Sequence, residues 1–279
     1  MMFDAGTYLK RIGYVGSTSP TIETLRALQR AHLLAVPFEA LDCFLGVPIR
    51  LDREALFDKV VTRLRGGFCY ELNGLFAELL MALGFTVSRL AARPFTGEGL
   101  APPFAHLALL IEHDRRWLAD VGFGYFTLEP LDIDERSTQV RNGRRFRVTE
   151  EDGAFVAEEL GMRSRWGYRF ALEPHGLEDY RDQCRAYSTD PTSGFVRRAT
   201  VSQAFTDGWV TVTRDQVIGR RGGQRLDRPI RDDADWRRTL RELFGVDLAP
   251  DGGVSLARAT PRGSRTDSRI DSVSAIGDH

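Results

Sequence analysis

Residues 72–83 constrain the fold most, because their apolar positions follow the repeat of a helix with one continuous buried face. The apolar residues step by three, one, three, one and three: Leu72, Leu75, Phe76, Leu79, Leu80 and Leu83. Gly84 follows, where a glycine commonly ends a helix. Two further helices are predicted upstream, over residues 21–36, where Pro37 ends the pattern, and from 53 to about 63. The beginning of the chain is therefore mostly helical.

The composition changes after Phe85, where short alternating segments separated by turn-forming residues replace the helical repeat. Five such segments are predicted as strands, over residues 104–111, 116–121, 145–149, 155–158 and 168–172. Residues 209–213 add a further strand, and residues 232–244 form a predicted helix with Trp236 and Leu240 on one face. The order of these elements predicts an α+β fold, with helices first, then a small antiparallel sheet or barrel, then a mixed part.

This order divides the chain into parts. We expect a helical part over residues 1–86, a β-barrel over 87–195 and a mixed α/β part over 196–250. Residues 251–279 are rich in Gly, Ser, Arg and Asp and lack any sustained period, so they are predicted to be a mobile tail.

Composition excludes several functions. Among 279 residues, 38 basic and 39 acidic side chains leave a net charge of −1, which argues against a general surface for nucleic acid. Three cysteines without a CxxC pair argue against a disulfide framework and a structural zinc site, so no metal is expected. No secretory leader and no apolar stretch approaching about 18 residues is present, so we expect a cytoplasmic protein that does not bind membranes.

Cys69 is the candidate nucleophile, because it follows Gly66 and Gly67 directly and stands at the opening of the strongest helix. Free backbone N–H groups and the positive end of the helix dipole favour a thiolate there and are expected to lower the pKa of the thiol. The alternative is that Cys69 is a small buried apolar residue, as most intracellular cysteines are.

His106 and Asp120 are the candidate partners of Cys69. If the hairpin that contains them is centred on His113, opposed residues have numbers that add up to 226, and His106 then lies directly across from Asp120. The Cβ atoms of directly opposed residues lie about 4.5 to 5.5 Å apart. A carboxylate this close to an imidazole can fix its tautomer. The alternative is a histidine and an aspartate that merely satisfy each other near the rim of the sheet. Together with Cys69, the pair favours a Cys-His-Asp triad in the chain order of papain-like sites.

These residues lie in stretches that resemble the arylamine N-acetyltransferase family. The most specific stretch is RGGFCYELN at residues 65–73, and less specific ones are PFE at 37–39, AHL at 105–107 and DVGFG at 120–124. YLKRIGY at 8–14 and YSTDPTSGF at 187–195 also match, and all occur in family order between residues 3 and 215.

The resemblance implies a helical bundle, a β-barrel and an α/β lid around a papain-like catalytic core, with Cys69, His106 and Asp120 as the triad. It also implies ping-pong acetyl transfer, in which acetyl-CoA acetylates Cys69 and an arylamine, arylhydrazine or hydrazide then takes the acetyl group. The motif by itself leaves open a papain-like or transglutaminase-like thiol hydrolase, or a binding module in which Cys69 is inert.

The resemblance assigns further positions. Gly122, Phe123 and Gly124 correspond to a loop near the acetyl and pantetheine end of CoA, which is followed here by Tyr125 and Phe126 in place of smaller residues. Phe38 corresponds to an aromatic residue of the acceptor pocket, and Glu39 and Arg65 correspond to a structural ion pair beside the site.

One group of arginines in the last third of the chain is a candidate for phosphate contact. It consists of Arg197, Arg198, Arg220, Arg221 and Arg225. A solvated surface is the favoured interpretation of this group, and contact with the phosphates of CoA is the alternative.

Overall fold

The computed structural model describes residues 3–248, so the predicted mobile tail at 251–279 lies outside the described residues. The described helices are α1 (Ala5–Arg11), α2 (Ile22–Ala35), α3 (Leu41–Leu45), α4 (Arg53–Phe57), α5 (Cys69–Ala82), α6 (Arg181–Thr189), α7 (Gly194–Arg197) and α8 (Asp233–Phe244). A π-helical turn over Asp58–Thr62 continues α4, and a 3-10 helix over Leu177–Tyr180 precedes α6.

The described strands are β1 (Phe38–Glu39), β2 (Thr86–Thr96), β3 (Gly99–Leu100), β4 (His106–Glu112), β5 (Arg116–Ala119), β6 (Leu131–Asp132), β7 (Gln139–Arg141), β8 (Arg144–Glu151), β9 (Ala154–Glu159), β10 (Trp166–His175), β11 (Val201–Phe205), β12 (Gly208–Val212), β13 (Gln216–Arg221) and β14 (Gln224–Pro229).

The helices begin and end where the local chemistry predicts. The Thr21 side chain caps α2 by accepting a hydrogen bond from the Thr24 backbone N–H at 3.3 Å. Helix α2 ends at Ala35, and Pro37 follows its C-cap Val36. Helix α5 ends at Ala82, and Gly84 follows with a φ of +90°. The apolar spacing therefore located these helices correctly.

The strands form two antiparallel sheets. Nine strands make the larger sheet, in the order β6-β5-β4-β2-β10-β9-β8-β7 with β3 paired to β2. It curls until β6 lies beside β8, which nearly closes a barrel. The smaller sheet has the order β1-β11-β12-β13-β14. The predicted α+β fold class, with helices, a barrel-like antiparallel sheet and a mixed C-terminal part, is confirmed.

Strand β4 separates two of the apolar cores. Leu107, Leu109 and Ile111 pack with α5, whereas Ala108 and Leu110 point into the barrel core. Successive residues of a strand face opposite sides, so a strand buried on both faces is apolar at every position. His106 lies at the start of this strand and shares the barrel face with Ala108. A helix and a barrel thus meet next to His106.

The third core lies at the C-terminal end. Trp236, Leu240 and Phe244 of α8 pack against one face of the smaller sheet, where Val201 and Val210 lie. Strand β11 pairs with β1, with Phe38 opposite Ser202, which attaches this sheet to the N-terminal helices.

Within the range predicted as barrel, the segment that precedes the smaller sheet is helical. It contains the 3-10 helix, α6 and the first residues of α7. Among residues 3–248, no helix combines the length and the apolar character needed to cross a bilayer.

His32 is a buried histidine in the helical core. Its Nδ1 lies 2.9 Å from the Tyr8 hydroxyl, and its ring packs edge-on against Phe76 at 5.4 Å. Burial, with a smaller contribution from Arg11, lowers the pKa of His32 to about 3. The unfolded chain, in which the pKa is about 6.5, therefore binds this proton more readily than the folded protein does.

We predict that His32 makes the protein acid-sensitive. Its contribution to stability is complete above about pH 6.5 and is lost progressively as the pH falls toward 3. Between about pH 7.5 and about pH 5, the free energy of unfolding should fall by about 2 kcal/mol more in the wild type than in His32→Asn. Urea denaturation at both pH values measures this difference. Replacement of the exposed His113 by Asn is the control, and equal losses in wild type and His32→Asn would contradict the assignment.

Candidate active site

Cys69 is the first residue of α5 and follows an N-cap, Phe68, whose backbone is extended. The two glycines before Phe68 are required by close packing. A Cβ at Gly66 would lie 2.0 Å from the Pro37 carbonyl oxygen, and a Cβ at Gly67 would lie 2.8 Å from Cβ of Glu71. A side chain at Gly66 would push the loop away from Pro37, and one at Gly67 would collide with Glu71 of α5. The glycine pair therefore lets the chain reach the helix start in this position.

Five buried or nearly buried charged side chains lie behind this loop. Lys59 Nζ lies 2.7 Å from both Asp42 Oδ2 and Glu71 Oε1. Arg65 donates to both carboxylate oxygens of Glu39 at 2.6 and 2.7 Å and to Asp42 at 2.9 Å. Glu39 and Arg65, predicted as a structural ion pair, thus lie in contact within a larger network.

The network is tied to the backbone at the helix start. Glu39 Oε1 accepts from the Gly66 N–H at 3.0 Å, and Glu71 Oε2 accepts from the Phe68 N–H at 3.1 Å. Burial raises the pKa of Glu71, and Lys59 opposes that effect. Burial alone would lower the pKa of Lys59, but the surrounding carboxylates, Glu71 first, raise it above its ordinary value. Lys59 therefore carries a positive charge in the interior.

His106 and Asp120 are in direct contact. The imidazole Nε2 lies 2.7 Å from Asp120 Oδ2, and both side chains are buried. This leaves Nδ1 as the ring nitrogen that Asp120 does not engage. Burial alone would raise the pKa of Asp120, but His106, Asn73 and the Gly122 N–H together lower it below its ordinary value. Asp120 is therefore a carboxylate.

The predicted hairpin register was wrong by two residues. Leu109 lies opposite Ala119 and Glu112 opposite Arg116, so the hairpin is centred on Asp114 and not on His113. Asp120 follows the end of β5, and the backbone neighbour of His106 is Ala92 on β2. An even shift keeps the two side chains on the same face, whereas an odd one would have separated them. The predicted contact between His106 and Asp120 is therefore present, but between diagonal rather than directly opposed positions.

Asn73 connects the cysteine helix to this pair, and sequence reasoning assigned it no role. Its Nδ2 donates to the Leu107 carbonyl at 2.6 Å and to Asp120 Oδ1 at 2.8 Å, and its Oδ1 accepts from the Val121 N–H at 2.8 Å. Asn73 comes four residues after Cys69, which puts both on one face of α5. The spacing of four residues from Cys69 could therefore have predicted that Asn73 lies at the site.

Gln29 of helix α2 also holds the segment that carries Asp120. Its Oε1 accepts from the Asp120 N–H at 3.3 Å, and its Nε2 donates to the Thr127 carbonyl at 3.2 Å. This residue carried no sequence signal, because it lies 91 positions from Asp120.

The Cys69 thiol has the opposite pKa shift to the one predicted. Burial raises its pKa, the Asp120 charge adds to this, and hydrogen bonds from the Leu107 and Tyr70 backbone N–H groups offset only part of the rise. Desolvation, which depends on residues distant in sequence, opposes the effect of the helix start on this thiol and outweighs it.

Gly122 brings the loop after Asp120 against the helix start. A Cβ at this position would lie 2.7 Å from Cys69 Cα and 2.8 Å from Asn73 Nδ2. The ring of Phe123 packs edge-on against the His106 ring at 4.9 Å, and Tyr168 packs against the same ring at 5.0 Å. Two residues predicted to approach CoA, Gly122 and Phe123, thus contact Cys69 and His106.

A pocket opens beside this site, between the loop over residues 121–125 and the smaller sheet. Its lining residues are Leu33, Val36, Phe38, Val121, Gly124, Tyr125, Ser202, Gln203, Ala204 and Trp209. Phe38 and Gly124, which were assigned to acceptor and CoA separately, line the same pocket. Cys69 and His106 are not among the lining residues, but Val121 and Gly124 belong to the same loop as Gly122, which packs against Cys69 Cα, so this loop connects the pocket to Cys69.

Comparison with known proteins identifies the family of this chain. A family model described as N-acetyltransferase matches residues 21–252. An arylamine N-acetyltransferase from Mycobacterium tuberculosis is 35% identical over 263 residues, which cover 90% of this chain and 92% of the relative. The chain belongs to the arylamine N-acetyltransferase family. As a member of this family it is an acyltransferase.

Two further relatives agree with membership of the arylamine N-acetyltransferase family. The structure of the Mycobacterium marinum enzyme in complex with CoA aligns with a TM-score of 0.80 at 32% identity, covering 93% of this chain and 96% of that one. Proansamycin X synthase from Amycolatopsis mediterranei is 32% identical over 88% of this chain and 98% of its own length. Family membership favours acyl transfer over the thiol hydrolase that the motif alone left open.

We predict that Lys59 is essential to the stability of the helix start. Lys59→Met leaves Asp42 and Glu71 as buried carboxylates without their cation, and should lower the free energy of unfolding by about 3 to 5 kcal/mol. The loss should be smaller at acidic pH, because Glu71, whose pKa burial already raises, then takes up a proton.

The matched control for this experiment is Lys10→Met, which removes the other lysine of the chain, an exposed one. Lys10→Met should change the free energy of unfolding by no more than about 0.5 kcal/mol. Chemical denaturation of both variants provides the comparison. Equal stability of Lys59→Met and Lys10→Met would show that the network contributes nothing.

Proposed function

We propose that this chain transfers an acetyl group from acetyl-CoA to an aromatic amine in two half-reactions, through an acetyl-Cys69 intermediate. The observation that carries the proposal is the hydrogen-bonded unit of His106, Asp120 and Asn73, next to a buried cysteine at a helix start. The CoA complex of the related Mycobacterium marinum enzyme supports a CoA thioester as the donor.

The first half-reaction begins with proton transfer from the Cys69 thiol to Nδ1 of His106. Because burial raises the pKa of the thiol, a free thiolate does not accumulate, and the proton leaves as the sulfur attacks the thioester carbonyl. The Asp120 carboxylate stabilises the imidazolium that forms. Collapse of the tetrahedral adduct breaks the bond to the CoA sulfur, which takes the proton from His106 and leaves as free CoA.

The oxyanion of that adduct needs hydrogen-bond donors. The backbone N–H of Cys69 is one of the first N–H groups of α5, which have no partner within the helix. We assign it as a donor to the oxyanion, in agreement with its position at the positive end of the helix dipole.

In the second half-reaction the amine attacks acetyl-Cys69. His106 accepts a proton from the attacking nitrogen and returns it to the departing Cys69 sulfur, so the amide is released and the thiol is restored. Phe38, Tyr125 and Trp209 offer aromatic surfaces that suit a flat ring.

We predict that incubation with acetyl-CoA, in the absence of any amine, yields a one-acetyl adduct on Cys69. Intact-mass analysis followed by peptide mapping locates the adduct, and addition of an arylamine should remove it with formation of the amide. Cys69→Ser should lose the adduct, whereas Cys184→Ser, at another buried cysteine, should retain it. An unmodified Cys69, or loss of the acetyl group to water without amide formation, would argue against the proposal.

We predict that His106→Ala and Asp120→Asn acetylate Cys69 more slowly by a factor of about 100 or more, because general base catalysis of this kind contributes about 10² to 10⁴. Rapid-quench measurement of the first half-reaction tests this. His113→Ala, which alters the exposed histidine in the turn of the same hairpin, is the control and should react at the wild-type rate. Wild-type rates in both variants would remove the pair from the mechanism.

A further inference from the structure

One face of the smaller sheet runs from the pocket to the protein surface. Ala204 lies directly opposite Trp209, Trp209 opposite Arg220, and Arg220 opposite Arg225. Residues directly opposite each other lie on the same face of a sheet, so these four form one row. Ala204 and Trp209 line the pocket, and Arg220 and Arg225 are exposed.

The opposite face of the sheet carries a different arginine. Arg221 alternates with Arg220 along β13, and its guanidinium lies 4.2 Å from the ring centroid of Phe205. That face carries Val210 and packs on α8. The register therefore separates the arginines that the sequence presented as one group, and it leaves Arg220 and Arg225 on the side of the pocket.

Arg220 and Arg225 are an unfavourable pair in the free protein. Like charges directly opposite each other in a sheet destabilise it. Within residues 3–248, Arg220 has no ion pair or hydrogen bond from its side chain. Arg225 has one ion pair, at 3.5 Å from Asp227, and Asp227 also accepts from Gln216 at 2.7 Å. The register thus places two arginines with spare donors at directly opposed positions, an arrangement that suits a phosphate.

The hairpin that carries them is defined by its turn. Gly222 and Gly223 both have positive φ, +60° and +74°, as a two-residue turn requires. The Gly222 N–H donates to Asp207 of the neighbouring turn at 2.8 Å. Three strand spacings separate Ala204 from Arg225, a distance of about 14 Å, which is comparable to an extended pantetheine arm.

We propose that Arg220 and Arg225 bind phosphate groups of the CoA donor while its acyl end occupies the pocket next to Cys69. This inference rests on the proposed function, since it takes acetyl-CoA as the donor. The row then guides the donor from the surface to the thiol, and the anionic ligand offsets the repulsion between the two arginines.

The test compares a donor that has phosphates with one that lacks them. In Arg220→Gln/Arg225→Gln, the ratio of kcat/KM for acetyl-CoA to kcat/KM for p-nitrophenyl acetate should fall about tenfold, because two charge-assisted contacts are removed. The loss should shrink as salt is added. Arg63→Gln/Arg185→Gln, which removes two exposed arginines elsewhere, changes the net charge equally and should leave the ratio unchanged.

A charge reversal separates binding from folding. Arg220→Glu creates an opposite-charge cross-strand pair with Arg225, so it should raise the melting temperature while it raises KM for acetyl-CoA. Acetyl-dephospho-CoA identifies the phosphate. A smaller effect of Arg220→Gln/Arg225→Gln with this donor assigns the pair to the 3′-phosphate, and an equal effect assigns it to the diphosphate.

Two failures can be told apart. If the double variant keeps a ratio within about twofold of the wild type while acetyl-CoA still serves as donor, the inference is overturned and the proposed function stands. A wild-type protein that cannot use acetyl-CoA fails at the proposed function instead.

Discussion

The structure around Cys69 depends on charges buried behind the first turn of α5. Lys59 and Arg65 hold the carboxylates of Glu39, Asp42 and Glu71 at distances of 2.6 to 2.9 Å. Two of these carboxylates accept hydrogen bonds from the Gly66 and Phe68 N–H groups. Removing such charges from water costs several kcal/mol for each ion, so the network persists only because nearly every partner is in place. The loop before Cys69 is thereby fixed from behind.

This arrangement has an electrostatic consequence for the nucleophile. Three carboxylates and two cations lie behind the helix start, and Asp120 lies in front of it, so the helix dipole acts against several negative charges. Burial and Asp120 raise the pKa of the thiol, and the N–H groups of Leu107 and Tyr70 lower it less. In the mechanism proposed above, the attack of Cys69 therefore coincides with proton transfer to His106.

The spacing of apolar residues predicted the features that depend only on residues near in sequence. The start of α5 at Cys69 and the strand that begins at His106 follow from apolar spacing and turn residues, and Asp120 comes directly after the next strand. The hairpin register does not, because it depends on which residue centres the turn, and Asp114 rather than His113 does so. The pKa of Cys69 was also out of reach, since desolvation is set by residues distant in sequence, as is the support that Gln29 gives to Asp120. The place of Asn73 at the site could have been predicted, because it lies four residues after Cys69 on the same helix face.

The alternation of side chains along a strand explains why Arg220 and Arg221 lie in different environments. Arg220 and Arg221 are adjacent in sequence and similar in chemistry, yet alternation along β13 puts them on opposite faces. Which face meets the pocket is decided by β1, because Phe38 pairs with Ser202 and thereby joins the smaller sheet to the loop before Cys69. The same strand pairing that places Phe38 in the pocket therefore directs Trp209 and Arg220 toward it. A shift of one residue between β1 and β11 would turn the apolar face of the smaller sheet to the pocket and Arg220 away from it.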